Sequence, residues 1–271
     1  MPDLNLRGSS LHELLSGELW GVIRPLGHHH GLMLFSRRGL PITHPGLCTM
    51  NLEHYCETGR CGPFTPRNEA HQSYQVGDDW LTIQFQPTEQ WKVRSLLTYQ
   101  VRDAGVIDVT FSFDFLADHR RFEAFIASYF YGRRLPFVHA GGRWLRPVIK
   151  PNEQLFFARD DAIAPIVTDG RWQWLFDRKM LATLDERRYD LPLTVHLDDR
   201  TGWAFVQMVS EAVCPAVSVN TFAYAQDFSI GGRDVATGEQ ASVRARLLYR
   251  QISDLDDVVE DYRRFEKDIA Q

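Results

Sequence analysis

The sequence is poor in cysteine and has no apolar window near the roughly 20 residues a membrane-spanning helix needs. Its four cysteines, Cys48, Cys56, Cys61 and Cys214, form no CxxC pairs at zinc-ligand spacing, which argues against a structural zinc site. Residues Met1 to Gly8 lack the basic start, apolar run and small-residue cleavage site of a secretory leader. The expectation is therefore a cytoplasmic chain with free thiols, although Cys56 and Cys61 are close enough to be bridged in an exported form. An excess of basic charge is also missing. With 30 Lys and Arg against 35 Asp and Glu, and the basic residues scattered, nucleic acid and membrane surfaces are not expected partners. There is no internal repeat, low-complexity run or linker.

At 271 residues the chain is long enough to bury roughly three quarters of its unfolded surface, so it needs no disulfide or metal for stability; one domain over 1–271 and no cofactor are expected. Aromatic residues make up 12%, which suits a large β core and the platforms on which sugar rings stack.

Ser10-Leu11-His12-Glu13 has the form of a capping box and predicts a short N-terminal helix. Leu19 to Arg24 and Leu32 to Ser36 read as strands flanking the three histidines His28, His29 and His30. Residues 44–70, rich in Pro, Gly, Asn and Cys, read as a long irregular loop, and loops of that length tend to be functional. From Tyr74 to Tyr131 the apolar residues alternate, most clearly at Ile107, Val109, Phe111, Phe113 and Phe115, which predicts an antiparallel meander with Asp103-Ala104-Gly105 as one of its turns. Gln154 to Phe157, Ala164 to Val167, Trp172 to Leu175, Leu193 to Leu197, Trp203 to Val209, Ala216 to Tyr224 and Ala241 to Arg250 read as further strands. A C-terminal helix is expected over 254–270, capped by Ser253 or Asp254, its apolar stripe meeting the sheet or a second copy in a homodimer. Many short strands with helices only at the two ends give an all-β fold, a large antiparallel β-sandwich.

The His-rich N-terminal third, the hairpin from Leu97-Thr98-Tyr99-Gln100-Val101 to Ile107-Asp108-Val109-Thr110-Phe111, and Gly238-Glu239 before the last strand together resemble the β-supersandwich of galactose-mutarotase-like carbohydrate proteins. The resemblance covers most of the chain. It implies a sugar in the concave sheet and epimerase-like chemistry. Lyases on related sandwich folds imply a second option, with Tyr129 near an Arg and a His taking a proton α to a carboxylate.

Histidine takes and gives protons near neutrality, and five of the ten histidines lie between residues 28 and 54. His29, His30, His44, Tyr129 and Glu211 are the candidate catalytic residues, with Arg24, His28, Glu53, His54, Arg133, His139 and Trp172 around the substrate. Glu53 and Glu211 adjoin apolar or aromatic sequence that would desolvate them. In a strand His28 and His30 share a face and supply half a metal site, with His44 or His54 as a third ligand. No acidic ligand follows at short range, so the acid–base reading without metal is preferred. Three functions remain open: a sugar epimerase, a lyase or glycoside-cleaving enzyme, and a carbohydrate-binding protein without catalysis.

Overall fold

The computed structural model describes all residues except 1–2, 8–10, 45, 103, 133–135 and 271, and only the main chain of 3–7 and of Phe176. In chain order its strands are β1 (Asp3–Arg7), β2 (Leu11–Ser16), β3 (Leu19–Arg24), β4 (Gly31–Ser36), β5 (Asn51–Glu57), β6 (Arg60–Gly62), β7 (Gln72–Val76), β8 (Trp80–Phe85), β9 (Val93–Val101) and β10 (Val106–Phe115). Then follow β11 (His119–Ser128), β12 (Phe137–Ala140), β13 (Trp144–Leu145), β14 (Glu153–Ala158), helix α1 (Pro165–Thr168), β15 (Leu181–Leu184), β16 (Tyr189–Asp198), β17 (Trp203–Val209), β18 (Ala216–Asn220), β19 (Gln226–Val235), β20 (Gln240–Gln251) and helix α2 (Asp256–Ile269). No helix among the described residues is long and apolar enough to cross a membrane.

Two large sheets face each other. One has nine strands in the order β13-β12-β16-β17-β20-β10-β9-β8-β7, the other seven in the order β15-β14-β18-β19-β11-β5-β6, and β1 to β4 form a third sheet. Alternation is the cause of the arrangement. Leu97, Tyr99, Ile107, Val109 and Phe111 from the large sheet meet Leu52, Ala124, Ile126, Phe157, Val219 and Phe228 from the smaller one in a single core. Polar ties cross that core: the Tyr99 hydroxyl donates to the Met50 carbonyl at 2.8 Å, and Thr49 donates to Gln207 at 3.0 Å. The all-β sandwich with a C-terminal helix expected from the sequence is the fold observed. Helix α2 lays Val258, Tyr262 and Phe265 on Val195, Val206 and Met208 of the large sheet. The Asp254 side chain accepts from the Asp256 amide at 2.8 Å, while the Asp257 side chain accepts from the Asp254 amide at 3.2 Å and the Ser253 amide at 2.8 Å, so the cap is reciprocal.

Several local expectations are corrected. The N-terminal helix is strand β2, paired with β3, because the burial of His12, Leu14 and Ser16 follows a period of two; Ser10, expected to cap it, lies outside the described residues. Residues 44–70 are not one irregular loop, since they contain β5 and β6. β5 is buried on both faces, so no alternation marks it in the sequence. The meander holds for β7 through β10, but β11 leaves it and pairs with β5 and β19 in the opposite sheet. Within the expected turn before β10, Asp103 lies outside the described residues, while Ala104 and Gly105 both have positive φ. Residues 164–167 and 172–175 are not strands: they form α1 and a 3-10 turn over Gln173–Arg178. Short apolar runs of this length do not separate strand from helix. Cys56 and Cys61 are joined in a disulfide across the β5–β6 hairpin, the alternative to free thiols for that pair, while Cys48 and Cys214 are free.

Candidate active site

The seven-stranded sheet turns one face to the core and the other away from it. On that second face Gln154, Ser218, Asn220, Asp227 and Ser229 alternate with the core residues Leu155, Val217, Val219, Phe228 and Ile230, and all five polar residues are buried. A polar face hidden from water needs internal partners or a ligand. The segment between β14 and β15 covers part of it, packing Ile166, Val167, Trp172 and Leu175 on Cys56, Phe125 and Phe156. What stays open is a cavity of about 620 Å³, lined among others by His28, Glu53, His54, Phe64, Arg67 and Tyr129.

A bulge in β5 sets the acid in place. Phe125 pairs with His54 and Ile126 with Leu52, so Glu53 is the extra residue of the strand. Neighbouring strand residues normally point to opposite faces, and the bulge lets both Glu53 and His54 line the cavity. Glu53 is ion-paired with Arg67, Oε1 to Nη2 at 2.8 Å, and its Oε2 accepts from the Tyr129 hydroxyl at 2.8 Å. Arg67 is itself buried and also donates to Asn51 at 3.2 Å. His54 accepts from the Phe64 amide at Nδ1, 2.6 Å, which places any proton of the neutral ring on Nε2, 3.5 Å from Glu53. Burial holds His54 well below the usual histidine range, helped by Arg67 and Arg178, so its approach to Glu53 is that of a neutral ring and not an ion pair.

Asp227 is the second acid. Its Oδ2 accepts from Gln154 Nε2 at 2.9 Å, and Asn220 Nδ2 holds Gln154 in turn at 2.6 Å. Burial pushes the Asp227 carboxyl well above the ordinary range, and the charge of Glu53 pushes it further. Tyr129 is driven well above 10 by burial, then by the charge of Glu53. The site thus holds one ion-paired carboxylate beside a carboxyl biased toward its protonated form.

The cavity gathers some of the expected residues and leaves others apart. His28, His29, Glu53, His54, Tyr129 and Trp172 line it. His29 is lowered to about 4 by burial and the neighbouring His28. His30 does not share a face with His28: it is buried in the core, its Nε2 accepts the Leu52 amide at 3.0 Å, and burial lowers it to about 3. Gly31, at φ 118°, lets the chain turn there, since a Cβ would come within 2.7 Å of the Thr49 carbonyl. His44 stands beside the cavity, its amide donating to the Tyr129 carbonyl at 3.0 Å. Arg24 supports the turn, donating to the His29 carbonyl at 3.3 Å. His139 is on β12 of the other sheet, paired with Asp190 at 2.9 Å, and does not line the cavity. Glu211 is exposed on a 3-10 turn whose amide donates to Glu266, away from the cavity. Arg133 lies outside the described residues. Among the described residues no three His, Cys, Asp or Glu side chains gather as a metal site.

Sequence reasoning passed over Arg67, Gln154, Asn220, Asp227, Phe64 and Arg178. A signal existed for some of them: Ser218 and Asn220 interleave with Val217 and Val219, the mark of a strand with one apolar and one polar face. Nothing local marked Arg67 or Arg178.

No protein-family model and no curated protein matches this chain by sequence. Solved structures do match in shape. A candidate aldose 1-epimerase from Escherichia coli K12 superposes with a TM-score of 0.56 at 11% identity, over 89% of this chain and 99% of that one. Galactose 1-epimerase from Lactobacillus acidophilus NCFM gives 0.51 at 8% identity, over 92% and 97%. A mutant of the heparan sulfate lyase HepC from Pedobacter heparinus gives 0.51 at 7% identity, over 93% of this chain and 37% of that one. The chain has the fold of the galactose-mutarotase-like structures.

Proposed function

We propose that this chain is a carbohydrate-active enzyme that binds a sugar in the cavity of the seven-stranded sheet and interconverts its anomers by acid–base chemistry, as an epimerase of the mutarotase kind. The observation that carries the reading is the pair of carboxyl groups in contrasting surroundings, Glu53 ion-paired with Arg67 and Asp227 biased toward its protonated form. Two carboxyl groups in such different surroundings can divide the roles of base and acid. Glu53 takes the proton of the anomeric hydroxyl, the bond from the anomeric carbon to the ring oxygen breaks, and that oxygen takes the proton of Asp227. Rotation about the bond to the next carbon, followed by the reverse steps, closes the ring on the other face. Trp174 offers apolar surface for the ring, and Asn220 and Gln154 fix the orientation of Asp227.

Elimination by a tyrosine base fits less well. Tyr129 donates its proton to Glu53 and is held well above its ordinary range, so a phenolate is disfavoured. The Cys56–Cys61 disulfide supports an oxidising compartment over the cytoplasm.

The test is polarimetry of fresh α-D-glucose and α-D-galactose. Wild-type protein accelerates the approach to anomeric equilibrium, and Glu53→Gln and Asp227→Asn each lower kcat by about 100-fold, the low end of what a positioned acid or base supplies. Wild-type protein that binds these sugars without accelerating the exchange would be a binding protein, and the enzymatic reading would be wrong.

A further inference from the structure

The cavity is less acidic than the chain as a whole. The chain carries a formal net charge of -5, yet the charged side chains lining the cavity are Glu53, Asp227, Arg67 and Arg178. Glu53 and Arg67 offset each other at 2.8 Å, and burial biases Asp227 toward its uncharged form. One cation, Arg178, is left over.

Arg178 ends the 3-10 turn Gln173–Arg178, and the covering segment carries it to the cavity. Its guanidinium carbon stands 4.3 Å from the centre of the Phe64 ring and 5.8 Å from that of Trp174. Arg67 stands 4.6 Å from the same Phe64 ring. Among the described residues no carboxylate stands within ion-pair distance of Arg178, whose contacts are the two rings, and the residue is exposed. An arginine that merely decorates a surface is free to sample many rotamers. This one rests on two aromatic rings, which restrain the guanidinium plane and leave its N–H edge for an acceptor. A planar fork of donors matches a carboxylate or a phosphate in two parallel hydrogen bonds.

We propose that the sugar taken by this cavity carries an acidic group, a carboxylate or an oxyanion ester, and that Arg178 binds it. The inference rests on the sugar-binding reading above and adds the substrate class. No ion pair joins Arg178 to Glu53 or Asp227, and a guanidinium keeps its proton, so Arg178 acts in recognition and does not exchange protons with the substrate.

Isothermal titration calorimetry tests this with matched ligands in the gluco and galacto series: the neutral hexose, the uronate, the 6-phosphate and the 6-sulfate. At least one acidic member binds wild-type protein about tenfold or more tightly than its neutral parent, the order expected for a charge-assisted bidentate contact. The ratio of acid to neutral affinity falls toward one in Arg178→Gln and is partly kept in Arg178→Lys, whose point charge lacks the fork. Thermal melting of both variants controls for folding. Which acid binds best identifies the group. If neutral hexoses bind as tightly as every acid, or if Arg178→Gln keeps the preference, the substrate class is overturned and the sugar reading survives. If no member of either series binds, both fail together.

Discussion

At the scale of single residues, the candidate site turns on what burial does to one carboxyl group, Asp227. Asp227 is buried against Gln154 and near Glu53, and its folded-state pKa lies above the unfolded value of about 3.9. A raised pKa favours the fold below the unfolded value, and that contribution is lost as pH rises through the folded value. Asparagine has nearly the same shape and no proton to lose, and its side-chain oxygen still accepts from Gln154. Asp227→Asn is therefore expected to gain stability relative to wild type as pH rises from about 4, by about 1.4 kcal/mol per pH unit while the wild-type acid stays protonated in the fold. Urea titrations between pH 4.5 and 7.5 measure it, and a difference that does not change with pH would show Asp227 to be ordinary. Asp227 could not be singled out from the sequence. Its strand was missed, and the partners that perturb it come from β5 and β14, distant along the chain. Glu53 was within reach because an acid beside His54 and Tyr55 is conspicuous, although the bulge that aims it was not.

At the scale of elements, the segment between β14 and β15 decides whether the cavity exists, since it brings Trp172, Trp174, Leu175 and Arg178 to the site. A buried ion cluster pins it. Arg171 donates to Glu123 of β11 at 2.5 Å and grips Asp169 through Nε and Nη2 at 3.0 and 2.8 Å, with the Arg171 and Glu123 side chains both fully buried. Removing one partner of a buried pair leaves the other desolvated and unpaired, which costs about 3 to 5 kcal/mol, whereas replacing both by apolar residues is often close to neutral. Arg171→Met should lose about that much stability in urea unfolding, and Arg171→Met with Glu123→Leu should recover most of it. Limited proteolysis within 159–180 should quicken in the single variant alone. The sequence showed the apolar residues of this segment but read them as strands. The ion pair that fixes its fold joins residues of different elements, so no local pattern announces it.

At the scale of the whole molecule, the histidines are a store of acid sensitivity. Burial lowers His29 to about 4 and His30 and His196 to about 3, and holds His54 well below its ordinary range. In the unfolded chain all four ionise near pH 6.5. A lowered histidine pKa favours the fold above the unfolded value, and the contribution is lost as pH falls toward the folded value. Stability is thus expected to drop on acidification below about pH 6.5, offset in part by Asp227 and Glu123, whose raised pKa values act in the opposite sense. The fully buried His30 isolates one such term: His30→Gln, which retains an acceptor for the Leu52 amide, should show a slope shallower by about 1.4 kcal/mol per pH unit between pH 6 and 4 and no difference in slope above pH 7.5. Equal slopes would mean that His30 takes up its proton in the fold. The sequence by itself determined the all-β class, the β7–β10 meander, the strands β3, β4 and β17, and the C-terminal helix, because alternation and helical spacing are properties of neighbouring residues. It also drew attention to His28, His29, Glu53, His54 and Tyr129 as a group. Only the tertiary structure decided that His30 belongs to the core, that Glu211 and His139 stand away from the cavity, and that Arg67 and Asp227 complete the site with Glu53. Those outcomes depend on which strands pair across the chain and which sheet face is covered, and both are set by long-range packing that no local window contains.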